Sequence, residues 1–519
     1  MSKILTPHKT GNRILKLALF ATGCAGIIAE FVLSTLATYL SGNAVFQWTL
    51  VMSFMLFAMG VGSRLSRLFQ QHLLEWFIIT EFILSLACAT SAIIAYGLAA
   101  FIQPINIIIY IQGFLIGVLI GLEIPLVTRI NESYENLRIN ISNVMEKDYY
   151  GSLLGGIIFA FIALPYLGLT YTPIVLGSIN YIVATLVLFR FINFIEKKIV
   201  FQVLCVFTFF IFISLCILAK PIIQYGEQSK YKDKIIFSQQ TAYQKIVMTQ
   251  WREYYWLFLN GQVQFSSYDE EKYHEPLVHP AMKLSSSPAN VLILGGGDGA
   301  AVREILKYTQ VNHMTLIDLD PVMPNLGKTH PVLTRINQHS LDNKKVKVIF
   351  QDARTFLENN DTLFGAIIID LPDPDSIDLM HVYSLDFYQL VEKHLIRGGV
   401  MVTQATSPYF SKKAFLCILK TIQSANLTTL PYHNHVPTMG EWGFVLGMRK
   451  KDMTPNQLME KARNIRFNDI PTRFINHNAM MSMTHFGKGI LDQLQEIEIN
   501  THIQPVLYQY YLSGNWGVY

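Results

Sequence analysis

The chain is 519 residues long, 51% hydrophobic and only 15% charged, with a formal net charge of +4. That length accommodates two or three domains, and the small positive balance without a basic stripe argues against a nucleic-acid partner. Its five cysteines (Cys24, Cys88, Cys205, Cys216, Cys417) form no C-x-x-C pair, which argues against a disulfide framework or a cysteine metal site.

Before about residue 220 the sequence is a succession of long apolar runs. A membrane crossing needs roughly 20 apolar residues. Seven segments qualify: 14–38, 44–63, 74–99, 105–127, 150–168, 172–192 and 199–219. The first is too long for a signal peptide and is followed by the others, so residues 1–220 are expected to form a multi-pass membrane α-helical bundle of about seven spans in the cell inner membrane.

Lys3, Lys9 and Arg13 precede the first run, and Arg64 and Arg67 follow the second. Arg129 and Arg138 follow the fourth, and Arg190, Lys197 and Lys198 separate the last two, while the loops near residues 40, 101 and 170 are almost uncharged. Positive charge marks the cytoplasmic side, so the chain is expected to start there, and seven crossings would leave its C-terminal half outside. Substrate supply argues instead for a cytoplasmic catalytic half, and the sequence leaves both arrangements open. Glu30, Glu81 and Glu123 lie inside apolar runs, where a carboxylate is costly and points to function. Glu30, near the middle of its run, is the expected functional acid and would suit a carboxylate-lined path for a polycation. Glu81 and Glu123 are expected to snorkel near span ends or to pair across helices.

Beyond residue 220 the composition is that of a soluble enzyme. Residues 235–267 read as a small β-unit: the runs 245–250 and 255–260 alternate, and Asn260-Gly261 has the composition of a tight hairpin turn. Asp269-Glu-Glu-Lys-Tyr-His-Glu275 then leads into a helix. Strands are predicted at 290–294, 313–317, 346–350, 364–369 and 400–405, with helices at 299–309 and 353–359 and one ending at Gly398-Gly399. The alternation predicts a mostly parallel, doubly wound sheet over 288–450. A further helix is predicted at Thr454–Ile465, within a C-terminal extension, residues 451–519, that carries no motif.

In such sheets ligands bind beyond the carboxyl ends of the strands. The first core strand ends in Gly295-Gly-Gly-Asp-Gly299, whose acid at Asp298 would repel a phosphate and suits a cation, such as a sulfonium or an amine. Asp318, Asp352 and Asp370 follow the next three strands. Asp318 stands where dinucleotide sites hold ribose hydroxyls, with Asp320 as its competitor. Asp352 can accept from an adenine amino group or cap the following helix. Asp370 and Asp373, on a proline-stiffened loop, can hold an ammonium and remove its proton.

Together with Tyr243-Gln244, Asn260-Gly-Gln-Val-Gln264, Tyr273-His-Glu275, Gln351-Asp352 and Asp370-Leu-Pro-Asp-Pro374, the glycine loop resembles the spermidine synthases, the polyamine aminopropyltransferases. The resemblance covers roughly residues 235–450. Gln404-Ala-Thr-Ser-Pro-Tyr-Phe410 and Gly440-Glu-Trp-Gly-Phe444 look like the bacterial branch with an N-terminal multi-span region. It implies a Rossmann-like, methyltransferase-type sheet behind the β-unit and a homo-oligomer. It also implies transfer of an aminopropyl group from decarboxylated S-adenosylmethionine, a co-substrate and not a permanently bound cofactor, to a diamine such as putrescine. By position, Gln244, Asp318, Asp352 and Ala353 match residues around the adenosine part of the donor. His274 and Asp298 match contacts to the amine and the aminopropyl arm, and Gln264 and Tyr273 match further pocket positions. Asp370 matches the proton acceptor and Asp373 an amine-holding acid, while plain packing is the competing reading for Tyr243 and Tyr273.

A sulfonium donor needs no metal, because its propyl carbon is already activated. The chain departs from many soluble members, which carry Asp-Ser-Ser-Asp-Pro at 370–374 and a tyrosine near 437–440, so the acceptor is less securely implied than the donor. Two other readings compete. A methyltransferase using intact S-adenosylmethionine would set that ligand's carboxylate against Asp298. A polyamine transporter or sensor would have no use for a base at Asp370.

Overall fold

The computed structural model describes residues 9–41, 44–99, 101, 105–132 and 136–516; Lys3 lies outside the described residues. The chain forms two compact units that divide after Lys234. The first is all helix: α1 (Lys9–Ser41), α2 (Ala44–Leu65), α3 (Leu73–Ala99), α4 (Asn106–Asn131), α5 (Leu137–Ile158), α6 (Gly168–Phe191) and α7 (Lys198–Gln228). Six helical stretches among the described residues are long and apolar enough to cross a membrane; one of them, Leu137–Phe194, runs for 58 residues. It begins well before the expected residue 150 because its first turns, with Arg138, Glu146 and Asp148, are helical but polar.

That stretch reverses direction within itself. Leu15, Ala18 and Leu19 of α1 cluster with Val144 of α5 and with Val187 and Phe191 of α6. The other half of α1 clusters with Phe159, Ala163, Leu169 and Leu176. The reversal falls at Gly168, whose φ of 61° ends a π-helical turn over Phe159–Leu167. The Thr172 hydroxyl closes the corner by donating to the carbonyls of Gly168 (2.6 Å) and Ala163 (3.1 Å).

The outer surface of this unit is apolar, as at Ile199, Val203, Phe207, Phe210 and Ile217 of α7, which suits lipid better than water. Its interior holds buried acids. Glu81 and Glu123 are not at span ends: they are 0% and 2% exposed, and neither carboxylate oxygen of Glu81 has a hydrogen-bond partner among the described residues. Glu30, expected to be the functional one, is only partly buried.

The second unit begins with a four-stranded sheet, β1 (Lys234–Gln240), β2 (Lys245–Trp251), β3 (Tyr254–Leu259) and β4 (Gln262–Ser266), in that spatial order. Asn260 (φ 50°) and Gly261 (φ 86°) make the predicted hairpin turn, a conformation that two-residue hairpins require. Next come α8 (Glu271–Leu284), β5 (Asn290–Gly295), α9 (Ala300–Ile305), β6 (His313–Asp318), α10 (Val322–Thr329), α11 (Pro331–Asn337), β7 (Val346–Phe350), α12 (Ala353–Glu358) and β8 (Phe364–Asp370). The remainder is α13 (Leu385–Lys393), β9 (Leu395–Gln404), α14 (Lys412–Ser424), β10 (Leu427–Val436), β11 (Gly440–Arg449), α15 (Pro455–Arg463), α16 (His477–Met483) and α17 (Val506–Leu512).

Seven strands form a mixed sheet in the order β10-β11-β9-β8-β5-β6-β7. The five from β5 to β9 are parallel, and β11 and β10 close one edge antiparallel. Alternate residues of β5 feed opposite faces. Val291 and Ile293 enter a core shared with α8, α9, α15 and α16, while Leu292 and Leu294 enter one shared with α12, α13, α14 and α17. Each such side chain contributes about 1.5–3 kcal/mol by leaving water, which is why a central strand reads as an unbroken apolar run.

One predicted boundary fails. The helix expected to end at Gly398-Gly399 ends at Lys393, and both glycines lie inside β9. Gly398 takes a φ of 70° there and its N–H donates to Asp452 Oδ2 at 2.9 Å. The glycine pair marks a strand irregularity, which composition alone does not distinguish from a helix stop.

The helical unit packs through glycines. A Cβ at Gly121 would sit 2.1 Å from the Met59 carbonyl oxygen, whereas one at Gly60 would meet nothing within 4 Å. Small residues let membrane helices approach this closely. Gly121→Leu is therefore expected to lower the melting temperature of the detergent-solubilised protein by several degrees, through overpacking of about 1–3 kcal/mol. Gly60→Leu should leave it unchanged, and equal effects would contradict the packing described.

Candidate active site

The order of the parallel strands reverses between β5 and β8: from β5 the chain builds outward through β6 and β7, then returns to lay β8 on β5's other side. Ligands bind at such a switch point. Here Gly295 and Asp370 are paired in register, and the Gly296 N–H donates to the Asp370 carbonyl at 3.0 Å. Gly295 (φ 83°) has no room for a side chain, since its Cβ would lie 2.1 Å from that carbonyl oxygen; a Cβ on Gly297 would lie 2.3 Å from Asp318 Oδ2. The glycines let the loop carrying Asp298 pass between two carboxylate-bearing strand ends.

Opposite the loop stands α8. His274, Asp298 and Asp370 bring one ligand-type atom each to within 4.8 Å of the others. Tyr273 is 5% exposed and its hydroxyl donates to Asp370 Oδ1 at 2.7 Å. Burial alone would favour neutral His274, but its bond from Nδ1 to Glu270 Oε2 (2.9 Å) and the charge of Glu270 hold the imidazolium up to about 9. Burial raises Asp370 to about 6, moderated by His274 and Tyr273 and reinforced by Asp298. Arg303 binds both oxygens of Glu270, at 2.9 and 2.8 Å, and Arg473 also reaches Oε1, so one buried carboxylate anchors three cations.

Both His-acid constellations have the donor types of a divalent-metal site. In the first, His274 Nδ1 is bonded to Glu270 Oε2 at 2.9 Å and Tyr273 is bonded to Asp370. In the second, Glu275, His279 and Glu304 are committed elsewhere. Glu275 accepts the backbone N–H groups of Arg473, Phe474 and Ile475, and Glu304 accepts from His279 Nε2, Arg303 and Lys307.

On the other side of the glycine loop, Asp318 Oδ1 accepts the Asp320 N–H at 2.9 Å. Burial pushes its carboxyl up to about 7 against that bond, with the charges of Asp320 and Asp298 adding to the rise. Asp320, the competitor for its role, is 2% exposed and fully engaged by Thr241 Oγ1 (2.8 Å), Gln244 Nε2 (2.9 Å) and the Val322 N–H (3.1 Å). Gln244 thus comes from the small sheet to the end of β6.

Asp352 caps α12, accepting from the Thr355 N–H at 2.8 Å, and its second oxygen meets His381 Nε2 at 3.0 Å. Those contacts hold it at about 2. Ala353 is the buried first residue of α12. Gln264, on β4, makes no side-chain hydrogen bond among the described residues, and Tyr243 is 54% exposed.

Past Asp370 the chain forms the loop with Asp373 and Asp375. Tyr383 donates to the Pro372 carbonyl (2.8 Å), and Gln404 to that of Leu371 (3.0 Å). Tyr511 of α17 donates to Asp373 Oδ2 at 3.0 Å. Burial pushes Asp373 to about 7 and Asp375 to about 6. Sequence reasoning missed Glu270, Arg303 and Tyr511. Glu270 had a readable signal, since it stands four residues before His274 at helical spacing; nothing near Tyr511 announced its contact.

Comparison with known proteins identifies the family. The family described as spermine/spermidine synthase domain matches residues 270–460. The chain is 40% identical to polyamine aminopropyltransferase 2 of Aquifex aeolicus, covering 96% of this chain and 98% of that one. It is 38% identical to the polyamine aminopropyltransferase of Oceanobacillus iheyensis over 94% of each. A crystal structure of spermidine synthase from Thermotoga maritima aligns with a TM-score of 0.44 at 23% identity, covering 50% of this chain and 87% of that one.

Removing the charge of Glu270 would leave His274 buried without its counter-ion and Arg303 with Glu304 alone. Glu270→Gln is expected to destabilise the catalytic unit by about 3–5 kcal/mol, measured by denaturant titration of the solubilised protein. Because folding raises the His274 pKa, the stabilisation should be complete below the ordinary histidine range and fade as pH rises through about 9. A wild-type protein equally stable at pH 7 and pH 10 would contradict the assignment.

Proposed function

Because this chain belongs to the polyamine aminopropyltransferase family, we propose that it transfers the aminopropyl group of decarboxylated S-adenosylmethionine to putrescine, giving spermidine and methylthioadenosine. The observation that carries the reading is the convergence of Asp370, Asp298 and His274 at the switch point. Asp370 accepts the proton of the attacking ammonium. The freed amine then attacks the propyl carbon in line; the carbon–sulfur bond breaks, and its electron pair leaves on sulfur as a neutral thioether. Holding two substrates in that line supplies much of the acceleration.

Asp318 holds the ribose hydroxyls, and Gln244, with Asp352 and Ala353, borders the adenosine. Asp298 and His274 flank the aminopropyl arm, Tyr273 and Gln264 extend the pocket, and Asp373 holds the amine. The contacts around Asp352 favour a positioning role for its carboxylate beside the adenine. Tyr273 steadies Asp370 as the base, which supports assigning it to the pocket over plain packing.

We read the 58-residue apolar stretch as two crossings joined at Gly168, because roughly 20 residues span a bilayer. Seven crossings follow, in the cell inner membrane.

The test is methylthioadenosine release by the solubilised full-length protein with the donor and a panel of putrescine, cadaverine and spermidine. Putrescine should be the best acceptor, and Asp370→Asn should lower kcat by about 10²–10⁴-fold. A base at about 6 is protonated in acid, so activity should fall as pH drops through 6. Tyr273→Phe, lacking the bond that favours the carboxylate, should move that limb to higher pH. Release with no amine, or at the wild-type rate by Asp370→Asn, would sink the reading.

A further inference from the structure

Among the described residues, Asp373 is the acid of the pocket loop that takes a hydrogen bond from the C-terminal extension, while Asp375 also lies near Tyr508 and Tyr511. Asp373 Oδ2 takes the Tyr511 hydroxyl at 3.0 Å, while its buried Oδ1 has no hydrogen-bond partner among the described residues. A buried carboxylate oxygen left without a donor costs free energy that a charged donor recovers. Asp375 lies two residues on, in a turn closed by its own N–H on the Asp373 carbonyl at 2.7 Å. Neither acid forms an ion pair among the described residues.

Tyr511 is built in. It is 5% exposed and packs on Trp516 at 4.8 Å between ring centroids. The Trp516 indole N–H returns to the Tyr511 carbonyl at 3.0 Å. Upstream, the Asn500 side-chain amide donates to the carbonyls of Met380 (3.2 Å) and Tyr383 (3.1 Å), and Leu507 is fully buried. The extension is thus tied to the short 3-10 helix Ile377–Tyr383, whose Tyr383 supports the pocket loop. The family domain match ends at residue 460, so these contacts come from outside it.

We propose that α17 forms the far wall of the acceptor pocket, where Tyr511 positions Asp373 so that its unpartnered oxygen, with Asp375, receives the distal ammonium of a diamine. This rests on the function proposed above. Tyr511 is a positioning residue and sets how long an acceptor fits, since it fixes the depth of the second cationic subsite.

The groups facing Asp373 are Tyr511 from α17, Gln404 from β9, Asp375 on its own loop, Tyr383 from the supporting helix and Tyr273 from α8. Of these, Tyr511 favours its ionised form most, ahead of Gln404. Without the Tyr511 bond Asp373 binds its proton more tightly, so the loss of affinity should be larger in mild acid than in base.

The experiment is calorimetric titration of putrescine into full-length Tyr511→Phe and wild type at pH 6.5 and 8.5, beside the steady-state kinetics. Tyr511→Phe should bind about tenfold more weakly at pH 6.5 and closer to wild type at pH 8.5, with KM raised and kcat within about twofold. Leu507→Ala, which only loosens the packing of α17, separates the two roles: it should lower thermal stability without a pH-dependent change in affinity. Equal affinity of Tyr511→Phe and wild type at both pH values, or a pH-independent loss matching Leu507→Ala, overturns the proposal. Binding is read without turnover, so a wild type that binds putrescine but releases no product counts against the proposed reaction and leaves the subsite to be judged by its own result.

Discussion

The carboxyl ends of β5 and β8 lie side by side, and the pocket depends on how closely the chain leaves them. Gly295 and Asp370 are paired in register, and a single Cβ at Gly295 would come within 2.1 Å of the Asp370 carbonyl. That contact admits only glycine, although glycine in a strand costs about 0.5–1 kcal/mol. In return, the Asp370 carbonyl is tied to the Gly296 N–H and the loop turns back toward α8, setting Asp298 beside Asp370 and His274. A larger residue at 295 would separate the strand ends and the acids with them.

With that geometry fixed, burial decides the electrostatics. Asp318 and Asp373 are driven to about 7, Asp370 and Asp375 to about 6, because an ionised carboxylate is poorly solvated there. The imidazolium of His274 offsets part of the negative charge, and Glu270 keeps it protonated. An anionic ligand would have to overcome several buried acids. A diamine or a sulfonium instead draws protons off them and gains Coulomb attraction in a medium where charges interact more strongly than in water. The pocket therefore selects for positive charge before any shape complementarity is considered.

Much of this was legible in the sequence because it is local. Strands buried on both faces announce themselves as apolar runs, and an aspartate at or just past the end of each can be read directly, so the placement of Asp298, Asp318 and Asp370 at the strand ends was legible from the chain alone. The features that escaped are those in which several physical causes share one residue pattern. Gly398-Gly399 read as a helix stop but serves a strand irregularity. Asp352 fitted both a ligand contact and a helix cap, and its carboxylate is held by Thr355 and His381. Glu81 and Glu123 fitted either span-end snorkelling or pairing across helices, and their full burial removes the first, because burial inside a bundle depends on neighbouring helices and not on position within a run. The bond from Tyr511 to Asp373 joins residues 138 apart, and no local pattern encodes a partner at that separation.

That long-range contact also explains the division of labour within the catalytic unit. The sheet and glycine loop are a scaffold that many chemistries share, and specificity on such scaffolds comes from the segments laid over the strand ends. Here the loop carrying Asp373 is stiffened by Pro372 and Pro374, yet prolines restrict a backbone without directing a carboxylate. Direction comes from donors: Gln404 and Tyr383 hold the loop's carbonyls, and Tyr511 holds the carboxylate itself. Two of those come from within the parallel-sheet domain and the third from the extension beyond it. A chain ending with the family domain would keep the carboxylate of Asp370 but lose the Tyr511 donor to Asp373, so under the proposed function the extension completes what the sheet only begins.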